Sequence, residues 1–200
     1  MIKKLVDIVL SMIGIVFFSP IILVISFLIL VFNGWPIFFI QSRLGKDLIP
    51  FNIIKFRTME KGYSMSSEND AVRQTGLGKV LRKTSIDELP VLLNVLKGDM
   101  SLVGPRPLLL KYKNRFSKDQ NRRHEILPGI TGLAQVKGRN EISWVKKFEY
   151  DIQYVDSHSI AMDLKILIQT VFSVFALKGI TPESQQIMPE FMGTEENEPD

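Results

Sequence analysis

The sequence predicts a mostly helical α+β protein, with an N-terminal membrane-seeking helical segment, a short β-hairpin and a compact helical domain behind them. Three observations predict it. No residue from 8 to 42 is charged, and residues 13–32 alone could cross a hydrocarbon core of about 30 Å. Two short runs of β-branched and aromatic residues, 37–40 and 51–56, flank a glycine-containing turn at Arg43-Leu-Gly-Lys-Asp47. Beyond them lie apolar stretches bounded by helix caps, glycines and prolines.

Length and composition bound the organisation. Two hundred residues suit one compact domain plus an anchor. The boundaries drawn are 1–35 for the membrane-associated segment, 36–185 for the globular domain and 186–200 for a tail whose acidic end lacks the apolar residues needed for order. There are no cysteines, which excludes disulfides, thiolate metal sites and a thiol nucleophile. The histidines, His124 and His158, have no zinc spacing. The formal charge of +4 suits phosphates or anionic headgroups. The lysines and arginines are dispersed and form no nucleic-acid recognition motif.

The apolar segment admits more than one topology. It is too long for a cleaved signal peptide and lacks a small-residue cleavage site. It has no polar face before Asn33, which excludes an amphipathic interfacial helix. A single span and a re-entrant hairpin remain. Ser19-Pro20 near the middle favours the hairpin, because proline removes a backbone hydrogen bond and Ser19 can satisfy the freed carbonyl. Lys3 and Lys4 before the segment, with Arg43 and Lys46 after it, pull both ends to the same face.

After the hairpin, Lys55 and Arg57 lie two apart and project from one strand face. Residues 60–69 are polar and read as a mobile loop. A short basic helix over 78–83 carries Arg82 into Ser85-Ile-Asp-Glu88. There the adjacent carboxylates Asp87 and Glu88 fit a capping box with Ser85 as the cap. Pro90 argues that the helix begins later, and Lys97-Gly98 should end it. Gly104-Pro-Arg-Pro107 then presents Arg106 on a stiff loop. Two acids followed by a fixed arginine suit a phosphate and a divalent metal. The loop Pro128-Gly-Ile-Thr-Gly132 has two glycines that permit close backbone approach. A strongly apolar helix runs over 163–178, destined for a core or a membrane surface.

The stretch SIDELPVLLNVLKGDMSLVGPRPLL resembles the signature of the bacterial monotopic phosphoglycosyl transferases, the small sugar transferase family. PGITGLAQVKGRN resembles its second block, KFRTM a third and the Ser19-Pro20 break a fourth. The blocks occur in order over nearly the whole chain. The resemblance implies a re-entrant helix broken at Ser19-Pro20, interfacial helices, and a catalytic domain on the cytoplasmic face of the bacterial plasma membrane. It also implies transfer of a phospho-sugar from a UDP-sugar to a polyprenyl (undecaprenyl) phosphate, releasing UMP, in the first membrane step of glycoconjugate assembly.

By that resemblance Asp87 is the nucleophile and Glu88 its partner, both able to hold Mg²⁺. Lys55, Arg57, Arg82, Arg106, Gln135 and Arg139 contact substrate. Leu127 stands where many members carry a basic residue, so no charged role is assigned there. The rival reading is a non-catalytic, membrane-anchored scaffold for glycan-assembly proteins. It would use the anchor and not the acid pair. The sugar stays open, as does a homo-oligomer.

Overall fold

The computed structural model of the chain describes residues 2–60, 74–138, 142–175 and 190–193. Helix α1, Ile2–Asn33, spans 32 residues, about 48 Å if straight. It is long and apolar enough to cross a membrane by length and composition. The helical assignment runs on through Ser19-Pro20 rather than stopping there. Pro20 has no N–H for the carbonyl of Val16 four residues back, and the Ser19 hydroxyl donates to that carbonyl at 2.8 Å instead.

One narrow stripe of α1 faces the rest of the protein along its whole length. At the start, Lys3 pairs with Asp163 at 2.7 Å, and the buried Asp7 accepts from the Ser101 hydroxyl at 2.8 Å. Ser11 is fully buried, and Gly14 lies against Leu92. Towards the end, Ile22, Ile25 and Ile29 pack on Phe56 and Leu81, and Asn33 donates to Thr75. These positions step by three or four residues, with one step of eight between Gly14 and Ile22, and so fall on one helix face. The other faces expose large apolar side chains, among them Phe17, Leu23, Phe27 and Phe32.

The predicted hairpin is present and longer than expected. Strand β1, Phe38–Leu44, pairs antiparallel with β2, Pro50–Phe56. Helix α2, Gly76–Lys83, is capped by the Thr75 side chain. The capping box expected at Ser85 is not formed. Ser85 has φ 57° and makes no side-chain cap, and a 3₁₀ turn runs over Ile86–Val91. Helix α3, Leu92–Lys97, starts only after Pro90 and ends at Gly98, whose φ of 85° needs a glycine.

A second small sheet escapes the sequence reading. Strand β3, Ser101–Val103, pairs parallel with β4, Gly129–Thr131. A Cβ on Gly129 would lie 2.1 Å from the Gly104 nitrogen. The glycines of this loop therefore allow close approach to the chain's own backbone at Gly104. Short helices α4, Lys118–Asn121, and α5, Leu133–Lys137, follow.

Two longer helices close the domain. Helix α6, Trp144–Ser157, opens with a Ser143 cap. Helix α7, Ile160–Phe175, begins three residues before the predicted start. The Tyr154 hydroxyl lies within hydrogen-bonding reach of both the Val103 carbonyl and the Asp163 carboxyl, which ties both helices to β3. One face of α7 leaves Leu164, Ile168, Val171 and Phe172 exposed. Phe191, inside the predicted tail, is buried against Tyr112, Phe116 and Phe148. The expected loop over 60–69 lies outside the described residues except for Glu60, and so does the tail beyond Gly193.

Candidate active site

The acid pair sits where three segments meet. The 3₁₀ turn places Asp87 and Glu88, β2 brings Lys55 across from them, and the loop after β3 brings Arg106. Glu88 Oε1 accepts from Lys55 Nζ at 2.5 Å and from Arg106 Nη2 at 3.0 Å. Arg106 is itself steadied from behind. The buried Arg123 donates to the Arg106 carbonyl at 2.8 Å and to Asp151 Oδ2 at 2.8 Å and 3.0 Å. The Arg123 and Asp151 side chains are only 3% and 4% exposed.

The two carboxyls have opposite electrostatics. Burial, and then the neighbouring Glu88 charge, push the buried Asp87 up to about 6, against the pull of Lys55, Arg82 and Arg106. Burial alone would raise Glu88 as well. Arg106 and Lys55 outweigh it and hold Glu88 down at about 2. Burial lowers the Lys55 ammonium, and Glu88 offsets part of that. One carboxylate is thus held in its ionised form by two cations, while burial and that neighbouring charge favour the protonated form of the other.

Beside the pair is a small cavity of about 30 Å³, lined by Arg43, Lys55, Glu88 and Arg106 with Ile53 and Met100 among its apolar walls. That volume takes a few waters or phosphate oxygens and no sugar ring.

The structure brings Asp87, Glu88, Lys55 and Arg106 together, with Arg82 electrostatically close to Asp87. Arg82 Nε also donates to the Thr58 hydroxyl at 2.9 Å. Arg57 is not brought in. Strand β2 ends at Phe56, and the buried Arg57 turns to the end of α1, donating to the carbonyls of Asn33 and Gly34. Its neighbour two residues back faces the site, so the same-face expectation fails at the strand end. Gln135 lies against Gly132, which packs on Gly104. Its amide oxygen and nitrogen are buried without hydrogen-bond partners among the described residues. Arg139 lies outside the described residues.

Three residues of this region were not singled out from sequence. Arg43 read only as a flanking charge. Arg123 and Asp151 carry no local motif, being 28 residues apart. Among the described residues there is no cluster of three or more metal-binding side chains. The adjacent carboxylates Asp87 and Glu88 still fit a Mg²⁺ ion, which is typically held by one or two carboxylates plus substrate phosphates.

Residues 1–177 match the family described as bacterial sugar transferase. The chain belongs to that family. It is 52% identical over 163 residues to the uncharacterized sugar transferase EpsL of Bacillus subtilis (strain 168), covering 80% of this chain and 81% of that one. It is 35% identical to the exopolysaccharide production protein ExoY of Rhizobium meliloti (strain 1021), covering 90% of this chain and 88% of ExoY. A UDP-glucose:undecaprenyl-phosphate glucose-1-phosphate transferase of Klebsiella pneumoniae is 40% identical over 88% of this chain, which spans 41% of that longer protein. The residues that form the cluster around Glu88 all fall within the family match.

Proposed function

We propose that the protein is a phosphoglycosyl transferase. It moves a phospho-sugar from a UDP-sugar to a polyprenyl phosphate, and it works from the cytoplasmic face of the plasma membrane. The observation that carries this reading is the Asp87-Glu88 pair set among Lys55, Arg82 and Arg106. Relatives named for transfer of glucose-1-phosphate or N-acetylgalactosamine phosphate to undecaprenyl phosphate support it.

In the first step the Asp87 carboxylate attacks the β-phosphorus of the UDP-sugar. The bond from that phosphorus to the bridging oxygen breaks, and UMP leaves with the electron pair. In the second step a phosphate oxygen of the lipid attacks the same phosphorus. The aspartyl–phosphorus bond breaks, Asp87 returns as a carboxylate, and the polyprenyl-diphosphate sugar departs. Raising Asp87 by burial makes it a stronger nucleophile once ionised. Lys55, Arg82 and Arg106 stabilise charge on the phosphoryl oxygens, the main device for such transfers. Glu88, ionised and locked by two cations, is poorly suited to carry a proton at neutral pH. Its part is to position Lys55 and Arg106 and to share a metal with Asp87. A bound Mg²⁺ would neutralise charge on the diphosphate oxygens.

The membrane arrangement belongs to the same reading. A helix crossing the bilayer upright leaves a domain on one side after its first turns. Helix α1 instead touches the domain at Lys3, Gly14 and Ile29 alike. That contact pattern supports a shallow, re-entrant insertion bent near Ser19-Pro20, with the exposed apolar face of α7 at the interface. The lipid phosphate then reaches Asp87 without leaving the bilayer surface.

The test is UMP release from a panel of UDP-sugars by the purified protein with Mg²⁺. Release beyond one UMP per enzyme that needs polyprenyl phosphate and yields the lipid-linked sugar is expected. No release with any donor, from folded protein, would leave the scaffold reading in its place.

A further inference from the structure

Arg43 is held in place unusually well for a residue next to a turn. It pairs with Phe51 on one side and bridges to Leu109 on the other. The next residue's amide, on Leu44, donates to the Leu108 carbonyl at 2.9 Å. Its guanidinium spends one nitrogen on the Gln41 side chain, at 2.6 Å. Nε is buried and has no hydrogen-bond partner among the described residues.

The charge around it is more informative. Arg43 lines the same small cavity as Lys55, Arg106 and Glu88. Lys55 and Arg106 already share the single Glu88 oxygen. Among the described residues Arg43 has no carboxylate in salt-bridge contact, and the largest charge acting on it is the like-charged Arg106. A packing arginine of this burial is normally paired. Here two guanidiniums converge on a space with too little negative charge, an arrangement that an entering anion relieves.

We propose that Arg43 is a further phosphate-binding residue of this site, which closes together with Arg106 on the oxygens of a phosphate ester or diphosphate. The proposal rests on the transferase reading for the identity of the anion. Two sources carry that chemistry, the diphosphate of the nucleotide sugar and the head of the polyprenyl phosphate. Burial and the Arg106 charge bring the Arg43 guanidinium down to about 10, consistent with a cation held at a cost until its ligand arrives. A planar fork that meets two phosphate oxygens at once is what arginine offers over lysine.

The experiment uses the full-length protein in detergent, comparing Arg43→Met and Arg43→Lys with wild type. Thermal melting is measured with and without inorganic pyrophosphate, whose affinity is titrated directly. The expected result is that Arg43→Met melts no lower than wild type without anion, yet binds pyrophosphate at least tenfold more weakly. Arg43→Lys should fall between. A purely structural Arg43 predicts the reverse pattern, a lower melting point with unchanged affinity, and that result overturns the proposal. If Arg43→Met does not fold, the lysine variant decides, because full affinity in it also overturns the proposal.

Kinetics then assign the source. A tenfold slower UMP release before acceptor is added points to the donor diphosphate. Normal release with a tenfold higher KM for polyprenyl phosphate points to the acceptor. If wild-type protein releases no UMP at all, the transferase reading has failed on its own, and the pyrophosphate titration still decides whether Arg43 binds an anion.

Discussion

Replacing Asp151 by Asn tests whether Arg106 is supported from behind by a buried ion pair. Asp151 Oδ2 accepts both Nε and Nη2 of Arg123 at 3.0 Å and 2.8 Å. Both side chains are almost wholly buried. The amide keeps the shape and removes the charge, so Arg123 is left buried and uncompensated. Breaking such a pair costs about 3–5 kcal/mol, a large share of the roughly 5–15 kcal/mol of a typical domain. For a chain of this size that lowers the melting temperature by about 6–20 °C. Differential scanning fluorimetry in detergent reads it.

The partner experiment separates stability from catalysis. Arg123→Met with Asp151→Leu removes both charges and should recover most of the loss, because an apolar replacement of a buried pair is often neutral. The Arg106 carbonyl loses its donor in that double variant. Turnover measured well below melting should therefore stay depressed, by tenfold or more, since a misplaced catalytic group costs up to about a hundredfold. A shift of less than about 3 °C in Asp151→Asn, or a double variant with full activity, would refute the reasoning.

Other expectations follow from individual residues. Burial, then the Arg123 charge, lowers the buried His124 from 6.5 to about 4, so the native state resists its protonation. The stability this gives is complete above pH 6.5 and lost as pH falls through 4; the gap is worth about 3 kcal/mol, and His124→Gln should flatten that part of a melting-temperature profile relative to wild type. Ser85 makes no cap and has φ 57°, so Ser85→Ala should stay within about 0.5 kcal/mol of wild type and Ser85→Gly should gain up to about 1 kcal/mol by chemical denaturation; a loss of about 0.5–2 kcal/mol in Ser85→Ala would instead mark a working cap. Cysteines placed at Lys4 and Lys46 should label from the same side of oriented membranes with an impermeant thiol reagent, and opposite sidedness would establish a full span.

Much of this architecture was legible because it rests on local signals. The hairpin was marked by two β-rich runs around Gly45, α2 by its short basic run, the end of α3 by Lys97-Gly98, and α7 by its apolar length. The acid pair and Arg106 stood out because charge and proline crowd into one short stretch. What stayed hidden depends on contacts between distant residues. The parallel pairing of β3 with β4 joins two three-residue strands, too short to show alternation. Helix α6 was missed although Ser143 caps it, since its charged and apolar residues carry no boundary glycine. Asp7 was not singled out at all, because its burial on Ser101 is a contact across 94 residues. Ser85 shows the opposite failure, where a motif was present and tertiary packing overrode it. Arg57 shares the strand parity of Lys55, and only the end of β2 turns it to α1.

The most direct measurement of the central claim is a single-turnover reaction without lipid acceptor. Enzyme at substrate-level concentration is mixed with a sugar-labelled UDP-sugar and Mg²⁺, then quenched in acid and analysed for UMP and for protein-bound label. The account predicts a burst of UMP approaching one per enzyme, matching label on Asp87, and loss of both in Asp87→Asn. Full turnover with acceptor but no burst and no labelled protein in its absence, or an intact burst in Asp87→Asn, would contradict it.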